Sequence, residues 1–499
     1  MTIEVRGEGL DVRGSAAVDF LSRSGTQRLV ADSRCVHPGD AFAAYPGDEA
    51  DGRRFIAQAI AAGASCILWE RDGFEWDAAW NIPNLGIAGL RKEIGAIASV
   101  VNGEPSHRLW MIGITGTNGK TSCSHWLATC LAELGKKTAL VGTLGNGFPG
   151  ALSPTANTTP DAVTVHSVLK EYEAHGASAV AMEVSSHGID QGRVNGVHFD
   201  VALLTNLSRD HLDYHGDMAS YAAAKATLFD WPGLQYAVLN LDDPFGVELA
   251  GKLGCSGVKV VGYGFHGEAQ GCQIAVKGRD LQMGADGLRF EVATPWGKAN
   301  IASAMLGRFN ASNLLGVLAT LLVSGASLEQ AVAALGRIQP VPGRLQQFGG
   351  GDKPLVVVDY AHTPDALEKV LQALREIVGT QGKLSCVFGC GGNRDKGKRP
   401  LMGAVASALA DRAIVTSDNP RHEDPRTIID EIVAGMGSNF HVEEDRAAAI
   451  DQAIRQAKCG DIVLIAGKGH EDYQDINNVK LPFSDAEVAQ RALQEYQPC

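Results

Sequence analysis

Between residues 109 and 338, short uninterrupted apolar runs alternate with longer stretches of helical spacing. This pattern predicts strands near 109–114, 138–141, 178–184, 200–205 and 236–239, and helices at 120–134, 161–174 and 219–229. Alternation of this kind predicts a mostly parallel sheet covered by helices on both faces. The stretch 272–298 is less regular and predicts an antiparallel excursion, followed by a helix at 311–324. Pro340-Val-Pro-Gly-Arg344 breaks the pattern, and a second alternation starts at Leu355-Val-Val-Val-Asp359. It predicts helices at 364–377, 399–410, 425–433 and 445–457, with strands at 384–388, 412–416 and 461–465. The fold class is therefore α/β, with a smaller doubly wound domain whose polar loops lie at the carboxyl ends of strands, where ligands usually bind.

Before residue 105 the pattern mixes short strands with Ala-rich helical turns such as Phe55 to Ala62, and Asn102-Gly-Glu-Pro-Ser106 makes a plausible linker. The expected division is 1–105, 106–339 and 340–499. With 499 residues and 45% hydrophobic content, each segment has enough apolar surface for its own core. The formal net charge of -13 argues against nucleic-acid or anionic-membrane partners and for a small molecule held in a local basic pocket. No apolar stretch approaches the roughly 18 residues of a membrane span. Glu4, Glu8 and Asp11 stand where a signal peptide would be basic and then apolar, so a cytoplasmic protein is expected. The ten cysteines lack paired Cys-x-x-Cys spacing and read as free thiols.

The most informative chemistry follows the first central strand. Met111-Ile-Gly-Ile-Thr-Gly116-Thr117-Asn118-Gly119-Lys120-Thr121 is an apolar strand, a glycine-rich turn and a helix start. Backbone N–H groups of such a turn converge on phosphates, a lysine reaches the β/γ-phosphates, and a threonine hydroxyl serves Mg²⁺. The strict pattern would place a glycine at Ile114; here the glycines are Gly113, Gly116 and Gly119. A nucleoside triphosphate site remains the better reading than a purely structural turn.

Other polar groups gather at predicted strand ends. Glu183-Val-Ser185-Ser-His187 follows one strand, and Thr205-Asn-Leu-Ser-Arg-Asp-His211-Leu-Asp213 follows another. Glu183 and His211 suit a magnesium shell beside Thr121, although each alone is as readily a helix cap or a solvated loop residue. Lys225, in an Ala-rich helix, reads by itself as solvent-facing. In the third segment Asp359-Tyr-Ala-His362, Gly389-Cys-Gly-Gly-Asn-Arg394, Asp418-Asn419-Pro420-Arg421 and Gly467-Lys-Gly-His-Glu471 each follow a strand. Arg394, Arg421 and Glu471 together match both ends of an amino acid, since guanidinium forks pair with carboxylates and a carboxylate accepts from an ammonium.

Taken together, Gly116-Thr-Asn-Gly-Lys-Thr121, Asn157-Thr-Thr-Pro160, Glu183-Val-Ser-Ser-His187, the 205–213 loop, Gly307-Arg-Phe-Asn310-Ala-Ser-Asn313, Pro342-Gly-Arg344 and Asp359-Tyr-Ala-His362 resemble the ATP-dependent Mur ligases of peptidoglycan synthesis. The likeness runs over essentially the whole chain. It implies an N-terminal UDP-binding domain, a central ATPase domain and a C-terminal Rossmann-like domain that receives an amino acid. Asp418-Asn-Pro-Arg421 resembles the form found in the branch of the family that takes meso-2,6-diaminopimelate rather than lysine. An arginine suits an acceptor with a second carboxylate and penalises lysine's ammonium.

By the same resemblance Ser33 and Asp48-Glu49-Ala50 would contact the uridine end, and Thr158, Thr159, Ser185, Gln191 and Arg193 would hold the muramoyl dipeptide. Gly116, Thr117, Asn118, Gly119, Lys120, Thr121, Asn310, Arg344 and Asp359 would serve ATP, and Thr121, Glu183 and His211 would serve Mg²⁺. Lys225 matches a lysine that is carboxylated on its amine in the family, and Lys120 and His211 join it as catalytic candidates. Arg394, Asp418, Asn419, Pro420, Arg421, Gly467 and Glu471 would bind diaminopimelate. The implied substrate is UDP-N-acetylmuramoyl-L-alanyl-D-glutamate. Its carboxylate would attack the γ-phosphate of ATP to give an acyl phosphate, and the amine of diaminopimelate would then form the amide, with domain closure excluding water. A monomer is expected. The rivals are a folylpolyglutamate synthetase, which shares this chemistry but has neither the N-terminal domain nor the 418–421 loop, and a nucleotide-gated scaffold without ligase activity.

Overall fold

The computed structural model describes residues 16–48, 50–254, 256–268, 270–380 and 382–497; Glu49 lies outside the described residues. The chain divides into two compact units, Met1–Ala275 with Ala319–Ala326, and Val276–Leu318 with Ser327–Cys499.

The first unit holds two sheets. The smaller is parallel throughout, in the order Leu29–Val30, Ala41–Ala44, Cys66–Glu70, Asn84–Ile87. Its two central strands are buried at every position, which is why they read as apolar runs without alternation. The larger sheet runs Lys259–Gly264, Tyr236–Asn240, Val201–Leu204, Trp110–Thr115, Ala179–Glu183, Thr138–Gly142, Gly145–Phe148, Ala151–Ser153. Its pairings are parallel as far as Thr138–Gly142, and the last two strands join antiparallel. Strand Trp110–Thr115 sits where the winding changes side: the next strands in the chain go one way and those after residue 200 go the other. That is the place where doubly wound sheets open a crevice at the carboxyl ends of their strands.

The predicted central strands and helices are present, with boundary shifts that have local causes. The helix predicted at 219–229 spans Met218–Ala226 and tightens into a 3-10 turn at Thr227–Asp230, because Trp231 precedes Pro232 and adopts an extended conformation. Asp161 and Asp217 cap their helices by accepting from backbone N–H groups of Val163 and Thr164, and of Ser220.

In the second unit the irregular stretch resolves into the antiparallel strands Ile274–Gly284, Gly287–Thr294 and Gly297–Ser303. The principal sheet runs Gln346–Gly349, Leu355–Asp359, Ile462–Ala466, Leu384–Phe388, Arg412–Val415, Phe440–Val442. All pairings are parallel except that of the first strand. Apolar cores lie on both faces, one around Leu371, Phe388 and Ile429 and the other around Ile450, Ile465 and Ala489. The carboxyl ends of strands 355–359, 384–388, 412–415 and 462–466 therefore share one edge, and from that edge rise the loops singled out from the sequence. A hairpin, Tyr473–Ile476 with Val479–Pro482, follows the last of them. No described helix is long and apolar enough to cross a membrane.

Candidate active site

The glycine-rich turn has the geometry its residues imply. Gly116 has φ 145° and Gly119 φ 86°, and a Cβ at Gly116 would stand 1.9 Å from Oγ1 of Thr205. Helix Lys120–Glu133 starts directly after Gly119, so its first N–H groups face the turn. Lys120 Nζ donates to the carbonyls of Gly116 at 2.8 Å and Thr117 at 2.9 Å. The neighbouring strand end fastens the turn: Asn118 N donates to Asn206 Oδ1 at 3.1 Å, and Thr205 Oγ1 donates to the Asn118 carbonyl at 2.6 Å.

Glu183 ends the adjoining strand fully buried, and its carboxylate organises the floor of the site. It accepts from Thr121 Oγ1 at 3.0 Å, from Thr143 N at 3.0 Å and from Thr143 Oγ1 at 3.1 Å. Gly142 makes room for it, since a Cβ there would lie 2.3 Å from Glu183 Oε1. Thr143 also shares a 3.0 Å hydrogen bond with Thr158, and Thr159 Oγ1 donates to the Glu183 carbonyl at 2.9 Å and meets Ser185 Oγ at 3.0 Å. Arg193 extends the row, donating to the Thr159 carbonyl at 2.8 Å and to Gln191 Oε1 at 2.7 Å. Thr158, Thr159, Ser185, Gln191 and Arg193 thus form one connected ridge beside the turn.

Lys225 corrects the solvent-facing reading. Its side chain is 1% exposed, its Nζ donates to the Gly116 carbonyl at 3.0 Å, and it lies over the Tyr221 ring at 4.6 Å. Burial drives its pKa well below the usual lysine value; the charge of Lys120 adds to this and Asp210 opposes it. His211 adopts φ 54° and stacks edge-on against His187 with ring centres 4.8 Å apart. Burial lowers its pKa too, with Asp210 opposing and Lys120 and Lys225 reinforcing. Thr121 and Glu183 supply the oxygen donors that Mg²⁺ prefers, and His211 faces the same lysines from the next loop, so the residues fit a divalent cation with a partly nitrogen donor set. Among the described residues no group of three or more His, Cys, Asp or Glu forms a metal cluster by itself.

In the 3-10 turn that follows the first strand of the smaller sheet, Ser33 is buried and donates to Gln58 Oε1 at 3.2 Å. Asp48 is held by both terminal nitrogens of Arg91, at 2.8 and 2.9 Å, which keeps its pKa below the usual carboxylate range. Ala50 closes a tight turn by accepting from Gly47 N at 2.8 Å.

The second unit carries its own cluster. Asp359 accepts from Leu345 N and Ala361 N, each at 2.8 Å; burial raises its pKa while Arg344 opposes. Arg344 lies over the Tyr360 ring at 4.6 Å, and Asn310 is buried, donating to the Leu306 carbonyl at 3.0 Å. Arg421 adopts φ 51°, a left-handed conformation uncommon for a bulky residue. Two hydrogen bonds from the hairpin hold it there, Arg421 N to the Asp475 carbonyl at 2.9 Å and Asn477 N to the Arg421 carbonyl at 2.8 Å. Its guanidinium donates to the Gly392 carbonyl at 2.8 Å and lies 3.8 Å from Asp475 Oδ2. Pro420 packs against Gly392, where a Cβ would fall 1.9 Å from the Pro420 carbonyl oxygen, and a Cβ at Gly467 would lie 2.6 Å from Asp418 Oδ2. Asn419 donates to Glu471 Oε2 at 2.7 Å. Arg394 is exposed, on the loop that Arg421 contacts.

Several residues at these sites escaped the sequence reading. Thr143 was hidden behind an ordinary strand end, and its signal was the Gly-Thr pair after an apolar run. Tyr221 sits between Lys225 and Thr117, meeting Thr117 Oγ1 at 3.2 Å. Buried Arg399 forms an ion network with the half-buried Glu423 and Glu431 beside the 389–397 loop and also donates to the Gly391 carbonyl. Nothing in local spacing announces those partners, because they are 24 and 32 residues apart in the chain.

Family models match three successive segments: the Mur ligase family, catalytic domain, at residues 27–99; the Mur ligase middle domain at 114–321; and the Mur ligase, glutamate ligase domain, at 343–469. The chain is 55% identical over 469 residues to a Chromobacterium violaceum protein named UDP-N-acetylmuramoyl-L-alanyl-D-glutamate--2,6-diaminopimelate ligase, covering 94% of each chain. It is 53% identical to the Nitrosomonas europaea protein of the same name, covering 94% of this chain and 93% of the relative. A solved structure bearing that ligase name aligns with TM-score 0.68 at 36% identity, covering 94% of this chain and 95% of the other. With that similarity spanning all three segments and both loop clusters, the chain belongs to the Mur ligase family.

Proposed function

We propose that this protein is an ATP-dependent ligase that joins meso-2,6-diaminopimelate to the D-glutamate carboxyl of UDP-N-acetylmuramoyl-L-alanyl-D-glutamate, in peptidoglycan precursor synthesis. The observation that carries the reading is the pair of relatives above half identity that bear this ligase's name over nearly the full chain. The Arg421, Asn419 and Glu471 cluster supports the acceptor. Arg421 offers a fork to the second carboxylate of diaminopimelate, and Glu471 offers an acceptor to an ammonium.

In this reading residues 1–105 hold the uridine end through Ser33 and the 48–50 turn, 106–339 bind ATP, and 340–499 bind the amino acid. The ridge from Thr158 to Arg193 orients the dipeptide so that its terminal carboxylate meets the γ-phosphate. Lys120 leaves the carbonyls of Gly116 and Thr117 for phosphate oxygens and neutralises their charge as it moves to the acyl group. Mg²⁺, held through Thr121, Glu183 and His211, would supply further charge neutralisation on those oxygens. Burial favours the neutral amine of Lys225, the form that adds CO₂, its nitrogen bonding to carbon and releasing one proton. The resulting carbamate would place an anion beside Lys120. Asn310, Arg344 and Asp359 serve the nucleotide, and Arg394, Asp418, Pro420 and Gly467 complete the amino-acid pocket. The acyl phosphate gives the carboxyl carbon a good leaving group, and the acceptor amine then displaces phosphate to form the amide. The acidic net charge supports small-molecule partners over nucleic acid or an anionic membrane, and the reading includes a monomeric cytoplasmic enzyme.

The test is phosphate release with ATP, Mg²⁺ and the UDP-dipeptide, comparing meso-diaminopimelate, L-lysine and no amino acid. Release dependent on diaminopimelate, with a product heavier by one condensed residue, is the expected result. Preference for lysine would overturn the acceptor, and no stimulation by either would overturn the ligase.

A further inference from the structure

Lys468 follows strand Ile462–Ala466 and is fully buried at the loop's glycine bend. Its Nζ donates to Asn419 Oδ1 at 3.0 Å and to Glu471 Oε2 at 3.2 Å. Both partners belong to the loops assigned above to the amino acid. A buried ammonium costs stability unless it is paired and hydrogen-bonded, so its placement between these two side chains needs a reason.

The hydrogen-bond pattern supplies one. Asn419 Oδ1 accepts from Lys468 and from Asp475 N at 2.9 Å, so the Asn419 amide is turned with its nitrogen toward Glu471. Glu471 Oε2 accepts from both Asn419 and Lys468, which leaves Oε1 as the oxygen for a ligand ammonium. Tyr473, whose ring lies 5.5 Å from Lys468 Nζ, closes the other side. Arg446 is committed to Asp485 by a paired ion contact at 2.7 and 2.8 Å. Lys468 and Asn419 therefore fix the same oxygen of Glu471 from two sides.

We propose that Lys468 is a positioning residue of the acceptor pocket, setting the rotamer of Asn419 and the direction of Glu471 so that the ammonium of the incoming amino acid is recognised. This deepens the ligase reading and rests on it. Lys468 touches neither nucleotide nor UDP-dipeptide in this scheme, so its loss separates recognition of the amino acid from activation of the carboxyl.

The experiment uses the full chain and two acceptors. With diaminopimelate, Lys468→Met and Lys468→Gln should raise the KM for the amino acid tenfold or more while the KM values for ATP and UDP-dipeptide stay within twofold. With hydroxylamine, a small nucleophile that needs no amino-acid pocket, both variants should form the acyl hydroxamate and ADP at the wild-type rate. In a double-mutant cycle, adding Lys468→Met to Glu471→Gln should raise the KM for diaminopimelate no further, because the lysine acts through that carboxylate. Two neutral replacements of different polarity guard against failure of either to fold, and a thermal melt reports it. Additive effects in the cycle, an unchanged KM for diaminopimelate, or equal loss with hydroxylamine in a folded variant would overturn the proposal. Absence of hydroxamate and amide in the wild type would instead overturn the ligase reading itself.

Discussion

Lys225 shows how a residue's environment reverses what its neighbours in sequence suggest. Burial against Tyr221 and the charge of Lys120 hold its amine's pKa well below the 10.5 it has in the unfolded chain. The unfolded state therefore binds the extra proton in the window below 10.5, and stability rises with pH through it. In CO₂-free buffer the urea midpoint of the wild type should climb more steeply between neutral and alkaline pH than that of Lys225→Met; parallel curves would refute a lowered pKa for this lysine. Lys225→Ala should also lose roughly 10²-fold or more in kcat, the scale of a removed electrostatic group, and bicarbonate should not restore it. Gly142→Ala tests the floor of the site from the opposite side, since its Cβ would lie 2.3 Å from Glu183 Oε1 and must push the carboxylate off Thr121 and Thr143. Expected are a stability loss of about 1–3 kcal/mol and a collapse of phosphate release; wild-type kinetics would show that Glu183 need not be held there. Arg421→Ala should raise the KM for diaminopimelate by the equivalent of about 2 kcal/mol or more while leaving that of the UDP-dipeptide unchanged, and equal losses for both would remove Arg421 from acceptor recognition.

At the scale of elements, the acceptor loops depend on packing between segments distant in the chain. Arg399 begins helix Lys398–Leu409 fully buried, and joins Glu423, just before helix Pro425–Val433, to Glu431 within that helix. Its hydrogen bonds and the Asn393 backbone N–H lower the pKa of Glu423 from 4.5 to about 2. A depressed carboxylate pKa contributes stability that is present above 4.5 and lost as pH falls through about 2. Glu423→Gln should lower the urea midpoint at neutral pH and lose less than the wild type on acidification; an identical acid profile would mean that Glu423 does not carry that dependence. The same scale shows what was legible locally. Long, fully buried strands such as Leu355–Asp359 and capped helices such as Ala162–Ala174 announce themselves by period and caps. The short strands Gly145–Phe148, Ala151–Ser153 and Phe440–Val442 did not, since they are three or four residues long and partly exposed. In the first of them Gly145 and Gly147 take φ 128° and 142°, backbone that only pairing with a neighbour selects as strand. Hairpin 473–482 was missed too, although it holds Arg421 in its left-handed conformation.

For the whole molecule, each of the two compact units carries one of the proposed binding clusters. Hydrogen exchange should find the UDP-dipeptide protecting residues 157–193 and diaminopimelate protecting 389–395, 417–423 and 467–477. Protection of 157–193 by diaminopimelate alone would reverse the assignment of ligands to clusters. The α/β class, the glycine-rich turn, the loops at strand ends and the family resemblance were all determined by the sequence itself, because apolar period, glycine placement and strand-end motifs are local properties of the chain. Tertiary structure alone decided that Lys225 is buried with a lowered pKa, that Glu183 is held by Thr121 and Thr143, and that Lys468 turns Asn419 toward Glu471. Each of those outcomes depends on desolvation and on hydrogen-bond partners tens of residues away, and such partners are defined only when folding brings the strand ends together.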